Sequence, residues 1–219
     1  MAIKAVIFDM DGVIINSEHL WDRGLSELMS RYGAVYDEET KILCMGRSLE
    51  ESSEVMKKMH NIDIGTTTFV QEQIAIVIAL YDKELDFMPG FMSLNDSLRL
   101  RNVKTCIATS SEEILMKAVD SKLDLTRLFY GNVVFRQPPL RSNPAPDLFL
   151  AAASKLGVKP EECVVIEDSP FGVEAALNAG MKVIAVTSST HAKHLTKADL
   201  IVDSLEEINH NVIGVLGLI

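Results

Sequence analysis

Residues 3–12 read IKAVIFDMDG, and the first six of them form a short, largely apolar run rich in β-branched side chains. Such a run predicts a strand buried on both faces, as in a parallel sheet. Runs of the same character occupy residues 105–108, 163–166 and 183–186, and a weaker one occupies residues 199–202. Apolar residues at helical spacing separate most of these runs. The alternation predicts an α/β fold with a doubly wound, Rossmann-like parallel sheet joined by right-handed crossovers.

A helical block interrupts this alternation directly after the first strand. Between residues 16 and 86 the apolar spacing is helical, and no run there predicts a strand. Ser48 and Glu51 fit the start of a helix with a capping box. We therefore expect a core formed by residues 1–15 and 87–219, and an inserted helical subdomain formed by residues 16–86.

The composition excludes several classes of protein. Of the 219 residues 47% are hydrophobic, enough to bury a core that offsets the entropy of folding, so a disordered chain is excluded. The net charge is −10, and no cluster of Lys and Arg could neutralise a run of phosphates, which argues against a nucleic-acid partner. No apolar run approaches the ~20 residues of a membrane-spanning helix.

The three cysteines are Cys44, Cys106 and Cys163, and their spacing fits neither a metal site nor a redox motif. We interpret them as reduced structural thiols. No signal peptide is visible before the first strand, so the expected location is the cytoplasm. We expect a monomer or a weak dimer without a membrane partner.

Two acidic pairs follow two of the predicted strands. Asp9 and Asp11 come directly after the first strand, and Glu167 and Asp168 follow the run at residues 163–166. Ligands of parallel sheets bind beyond the carboxyl ends of the strands, and paired carboxylates suit a hard cation such as Mg²⁺. The alternatives are a solvated turn for the first pair and a helix start stabilised by its dipole for the second.

Hydroxyl groups follow the predicted strand at residues 105–108. Thr109, Ser110 and the next serine lie where a helix is expected to begin, and free N–H groups and hydroxyls there suit an anion. Ser110 and Glu113 also fit a capping box, and the two interpretations are compatible.

Four motifs in order resemble the haloacid dehalogenase (HAD) superfamily of phosphohydrolases. They read FDMDGV at residues 8–13, ATSS at 108–111, NPAPDLFL at 143–150 and VIEDSPFGVEAA at 165–176. With the insertion at residues 16–86, they are similar to the branch with a helical cap, which includes phosphoglycolate phosphatase and β-phosphoglucomutase.

This resemblance implies roles for the acidic residues. Asp9 would be the nucleophile that forms an aspartyl-phosphate, and Asp11 would be the general acid and base. Mg²⁺ would be held by Asp9, the backbone carbonyl of Asp11, and Asp168, with Glu167 nearby.

The resemblance also assigns the phosphate contacts, and here the chain departs from the family. Thr109 and the N–H of Ser110 would hold the phosphate, but the usual motif lysine is replaced by Asn143. An amide can donate a hydrogen bond but supplies no charge. Arg141 or Arg136 could substitute for the lysine, or both could be solvated loop charges.

The leading hypothesis is a Mg²⁺-dependent phosphatase of a small phosphorylated metabolite, such as a sugar phosphate. Arg47, in the loop of the helical cap, either contacts the substrate or is an exposed arginine at a helix start. A phosphomutase of the β-phosphoglucomutase type needs the same intermediate, and the replacement at Asn143 also allows a degenerate binding protein. Dehalogenase activity is disfavoured because those relatives lack a carboxylate at the position of Asp11.

Overall fold

The computed structural model describes residues 2–44, 48–141 and 143–208. Within them, six parallel strands form one sheet in the order β3-β2-β1-β4-β5-β6. The predicted doubly wound α/β fold is confirmed. The strands are β1 (Ala5–Phe8), β2 (Lys104–Thr109), β3 (Val133–Phe135), β4 (Cys163–Glu167), β5 (Lys182–Val186) and β6 (Leu200–Val202).

Helices separate most of the strands along the chain. None of the helices in the described part of the chain is long and apolar enough to cross a bilayer. They are α1 (Glu18–Arg31), α2 (Glu38–Cys44), α3 (Leu49–His60), α4 (Thr66–Glu84), α5 (Phe91–Leu100), α6 (Glu113–Leu123), α7 (Leu125–Leu128), α8 (Asp147–Leu156) and α9 (Pro170–Asn178).

The chain divides into two compact units. One contains Met1–Asn16 and Asp86–Ile219, and the other contains Ser17–Leu85. The second unit consists of α1 to α4 around a small core of its own that includes Leu28, Met56 and Phe69. The predicted capping box at the start of α3 is confirmed, because the Ser48 side chain accepts from the N–H of Glu51 and the Glu51 carboxylate accepts in return.

The sheet is covered on both faces, as the apolar runs predict. On one face, Ala5 and Ile7 of β1 belong to a cluster with buried side chains of α8 and α9. On the other face, the Phe8 ring meets the rings of Phe91 and Phe129 edge to face, with centroids 5.6 and 5.9 Å apart. Truncating a fully buried phenylalanine such as Phe8 to alanine costs about 3–5 kcal/mol of stability. This packing holds β1 firmly at the centre of the sheet.

Among the strands in the described residues, β3 is the one that the sequence pattern did not predict. It has three half-buried residues and pairs only with β2, so it lacks the long apolar run of a central strand. The three cysteines are free, as predicted, and Cys106 and Cys163 lie buried in β2 and β4. Burial raises the pKa of Cys106 to about 12 and that of Cys163 to about 11.

Candidate active site

Parallel pairing of β1 and β4 brings the two acidic pairs to the same end of the sheet. Phe8 lies opposite Ile166, and the N–H of Asp9 donates to the carbonyl of Ile166 at 3.0 Å. Asp9 therefore leaves β1 at the level where Glu167 ends β4 and Asp168 follows it.

Three of these carboxylates form a compact buried cluster. One oxygen each from Asp9, Glu167 and Asp168 lies within 4.8 Å of the others, and the three residues are 8, 2 and 6% exposed. Like charges this close repel, and burial removes the water that would screen them. The cluster therefore favours either protonation or a bound cation.

The pKa values of Asp9 and Glu167 reflect this burial and the charge repulsion. Burial, and then the charges of Glu167, Asp168 and Asp11, raise the pKa of Asp9 well above its usual value. Burial raises the pKa of Glu167 to about 7. An all-oxygen donor set under this repulsion fits a hard divalent cation, which would relieve both effects.

Two glycines allow the backbone to approach the cluster closely. Gly12 has a φ of +71°, and a Cβ there would overlap the Oδ2 of Asp168. A Cβ at Gly172 would likewise overlap the carboxylate of Glu167. Side chains larger than glycine at these positions would therefore displace the acidic groups.

Hydroxyl groups after β4 and β5 hold the acidic loop in place. Ser169 donates its N–H to Glu167 and caps α9 by accepting from the N–H of Gly172 at 3.0 Å. The Ser188 hydroxyl lies 3.4 Å from Oδ2 of Asp168, and the Ser189 hydroxyl donates to the Asp168 carbonyl at 3.1 Å. Neither of these serines after β5 was predicted as a site residue, although polar residues soon after a buried strand are the available signal.

Asp11 is half-buried and lies outside the three-carboxylate cluster. Its Oδ2 accepts a hydrogen bond of 2.7 Å from the hydroxyl of Ser111, which follows the neighbouring strand β2. The Thr109 hydroxyl in turn accepts from the N–H of Ser111 at 3.1 Å, and Thr109 is only 1% exposed. The end of β2 thus orients Asp11 through Ser111, a contact that the sequence did not reveal.

The predicted capping box of Ser110 and Glu113 is wrong. The helix α6 begins at Glu113, so Glu112 is its N-cap residue, and Glu112 makes no side-chain capping hydrogen bond. The turn after β2 directs Ser111 to Asp11, which delays the start of the helix. Ser110 is exposed beside this turn.

The third motif places an amide, not a cation, at a half-buried position. The Asn143 Oδ1 is buried and has no hydrogen-bond partner among the described residues. Two carboxylates hold the candidate replacements for the lysine. Arg141 binds Asp147 through its Nε at 3.0 Å and its Nη2 at 2.8 Å, and Arg136 binds Glu112 at 2.7 Å.

The pairing of Arg141 with Asp147 lowers the pKa of Asp147 to about 2, because the hydrogen bonds favour its charged form. Arg47, the candidate substrate contact, lies outside the described residues.

Comparison with known proteins gives consistent matches. A model of the haloacid dehalogenase-like hydrolase family matches residues 3–180. A Drosophila melanogaster protein named "Probable pseudouridine-5'-phosphatase" is 33% identical over 82% of this chain and 80% of its own length. A fructose-1-phosphate phosphatase of Escherichia coli is 29% identical over 83% of this chain and 95% of its own length. A solved β-phosphoglucomutase of Clostridium difficile matches with a TM-score of 0.82 and 25% identity, over 98% of this chain and 97% of that chain.

Proposed function

The chain belongs to the haloacid dehalogenase-like hydrolases, and from this membership we propose that it is a Mg²⁺-dependent phosphatase of a small phosphorylated metabolite. The family and the enzyme class predicted from the four motifs, a phosphoric monoester hydrolase, are confirmed. The observation that supports the detailed reaction is the buried cluster of Asp9, Glu167 and Asp168, with Asp11 close enough to raise the pKa of Asp9.

We assign the metal to the carboxylates of Asp9, Glu167 and Asp168, with the backbone carbonyl of Asp11 as a further ligand. All of these are hard oxygen donors, which Mg²⁺ prefers. When bound, the ion supplies positive charge that screens the carboxylates from an incoming phosphate group. The raised pKa values of Asp9 and Glu167 support this assignment, because both groups are poorly stabilised without a cation.

The Asp9 carboxylate is the proposed nucleophile. One of its oxygens attacks phosphorus, the bond from phosphorus to the ester oxygen breaks, and Asp11 donates a proton to the departing alcohol. Asp11 then accepts a proton from the water that attacks the aspartyl-phosphate, which releases inorganic phosphate and restores Asp9. The Ser111 hydroxyl supports this role of Asp11, because its hydrogen bond keeps the carboxylate oriented through both steps.

Thr109 and the N–H of Ser110 are the proposed phosphate contacts. Both follow β2, the strand next to β1, so they leave the sheet on the same side as Asp9. Asn143 is proposed as a third, uncharged contact, because its amide N–H₂ group can donate to an oxygen of the phosphate.

Residues 16–86 are the proposed helical cap, and residues 1–15 and 87–219 are the proposed hydrolase core. The compact unit of Ser17–Leu85 supports this division. Arg47 remains the candidate substrate contact of the cap. The names of the relatives, a pseudouridine-5'-phosphatase and a fructose-1-phosphate phosphatase, support a sugar phosphate as substrate. The free thiols Cys106 and Cys163 support a reducing, cytoplasmic location.

A phosphomutase is the second candidate, because a β-phosphoglucomutase shares the fold along nearly the whole chain. Both reactions use the same aspartyl-phosphate, which a mutase returns to a sugar and a phosphatase gives to water. A mutase therefore needs a bisphosphorylated sugar to become active, whereas a phosphatase releases phosphate without one.

The test is phosphate release from a panel of sugar phosphates, with Mg²⁺ and without any bisphosphorylated sugar. We expect turnover of at least one of them by the wild type and by the control variant Asp63→Asn, which changes an exposed aspartate in the same way. Asp9→Asn should abolish this turnover, because an amide cannot attack phosphorus. Substantial turnover by a well-folded Asp9→Asn protein would remove Asp9 as the nucleophile.

A further inference from the structure

A cavity of about 300 Å³ opens at the other end of the sheet. Lys104, which begins β2, lies in its wall, whereas Thr109 ends the same strand on the side of the acidic cluster. Five residue steps at about 3.3 Å separate the two by ~16 Å, so the cavity and the candidate active site are distinct. We call it the basic cavity, lined among others by Arg99, Lys104, Lys155, Asn95 and Tyr130.

The charges of the basic cavity are one-sided. Arg99, Lys104 and Lys155 contribute three cations, and no described residue of the lining is acidic, although the whole chain carries a net charge of −10. Lys104 is held at the wall by a hydrogen bond of 2.7 Å from its Nζ to the carbonyl of Leu156. Arg99 donates a hydrogen bond to the side chain of Tyr130 and pairs with Asp96 at 3.2 Å. The side chains of Arg99 and Asp96 are both more than half exposed, and such an ion pair contributes little.

Cations at these positions also have a structural explanation. Arg99 and Lys155 lie in the last turns of α5 and α8, where positive charge stabilises a helix end. The cations alone therefore do not establish a binding site, and a separate observation is needed.

Asn95 supplies that observation. It lines the cavity, is only 3% exposed, and has no hydrogen-bond partner among the residues that the structure describes. Amides of such buried residues are nearly always paired, because a polar group that leaves bulk water needs another hydrogen-bond partner. A ligand atom in the cavity would satisfy this amide.

Tyr130 marks the rim of the same cavity. Its backbone has a φ of 53°, which is rare for an aromatic residue, and its side chain is 72% exposed. The turn thus holds Tyr130 in the cavity lining, where its side chain accepts a hydrogen bond from Arg99. Apolar Leu156 forms part of the wall, so the cavity offers both charged and apolar contacts.

We propose that the basic cavity binds a small, doubly charged oxyanion of the phosphate type. The positive charges of Arg99, Lys104 and Lys155 attract the two negative charges of such an anion. The Asn95 amide can donate a hydrogen bond to one of its oxygens. The volume lies at the lower limit of small-molecule pockets, which excludes large ligands. Since the binding groups lie apart from the acidic cluster, binding there requires neither Mg²⁺ nor turnover.

Calorimetric titration of the metal-free protein in EDTA tests the proposal, with inorganic phosphate in one arm and ribose 5-phosphate in the other. We expect the wild type to bind at least one probe, and Arg99→Gln/Lys155→Gln to weaken that binding at least tenfold. The two side chains are exposed, so this variant should fold, and an unchanged melting temperature checks it. Lys193→Gln, which removes an exposed lysine outside the cavity lining, should bind like the wild type.

A second variant addresses the amide itself. Asn95→Leu keeps the approximate size of the side chain but cannot donate, so it should also weaken binding while keeping the fold. Tighter binding of the ester than of inorganic phosphate would identify an organic phosphate as the ligand, and equal affinity would identify the free anion. No binding by the wild type up to about 10 mM, or equal binding by the double variant, would overturn the proposal.

Discussion

The two ends of the sheet carry opposite charges, and the acidic groups at one end are buried whereas the basic groups at the other are exposed. At the carboxyl end, Asp9 and Asp168 follow strands directly, and the backbone holds them in a cluster that is less than a tenth exposed. At the amino end, Arg99 and Lys155 reach the basic cavity on long, exposed side chains. Buried charges are sensitive to proton and cation binding, whereas exposed ones are screened by salt. Function at the acidic end should therefore depend on pH and metal, and anion binding at the basic end on ionic strength.

The largest effect is expected from Asp11→Asn at the acidic end. The variant should hydrolyse sugar phosphates about 10³-fold more slowly, because an amide cannot protonate the departing alcohol. With p-nitrophenyl phosphate the first step should be nearly normal, since that leaving group needs no proton. Quenched-flow detection of a phospho-enzyme measures this difference.

Asp63→Asn is the matched control for this experiment and should behave like the wild type with both substrates. An equal loss with both substrates would show that Asp11 acts in some way other than proton transfer.

The acidic end should also make the metal-free protein less stable as pH rises. Burial raises the pKa of Glu167 from 4.5 to about 7, so between these values the folded state binds more protons than the unfolded state. The free energy of unfolding is therefore highest below pH 4.5 and falls by about 3 kcal/mol as the pH rises past 7. The raised pKa of Asp9 acts in the same direction.

Thermal denaturation in EDTA from pH 5 to 8 tests this, and saturating Mg²⁺ should remove most of the loss. Asp168→Asn removes one of the repelling charges on Asp9, so it should melt at a higher temperature than the wild type at pH 8 in EDTA. Asp63→Asn should show no such gain. A metal-free melting temperature that rises with pH would contradict this account of the cluster.

The acidic end could be predicted from the sequence because its residues directly follow strands. A buried parallel strand appears as a continuous apolar run, and parallel pairing then brings Asp9 and Glu167 to the same end. The contact of Ser111 with Asp11 could not be predicted, because the detailed turn after β2 determines which of three adjacent hydroxyls faces Asp11. The short strand β3 was missed for a similar reason, since three half-buried residues produce no distinctive pattern.

The basic cavity left no signal in the sequence. Its cations come from α5, β2 and α8, which are distant along the chain, and each is an ordinary surface residue by itself. Only the fold brings them together around Asn95. Local sequence motifs can thus reveal a site whose residues directly follow strands. A site whose residues come from the ends of several helices can be recognised only in the folded structure.

The smallest expected effect concerns Asn143, where the acidic end lacks the charge that its family usually supplies. Asn143→Lys should raise kcat/KM roughly ten- to a hundredfold, or about 1.4–2.7 kcal/mol of transition-state stabilisation. The buried Oδ1 without a partner shows that no described residue depends on the amide oxygen, so the exchange should be tolerated. Steady-state kinetics on one substrate measure the gain, with Gln137→Lys as a control that adds the same charge at an exposed position of the same loop.

Arg136→Ala and Arg141→Ala complete the experiment. Their guanidinium groups are bound to Glu112 and Asp147, so neither variant should lower kcat/KM if the arginines stay there during turnover. A loss in either one, together with little gain from Asn143→Lys, would show that this arginine leaves its carboxylate and replaces the missing lysine. If none of the three variants changes kcat/KM, the loop does not contact the phosphate. The acidic end would then stabilise the transferred group through its metal and the residues after β2 alone.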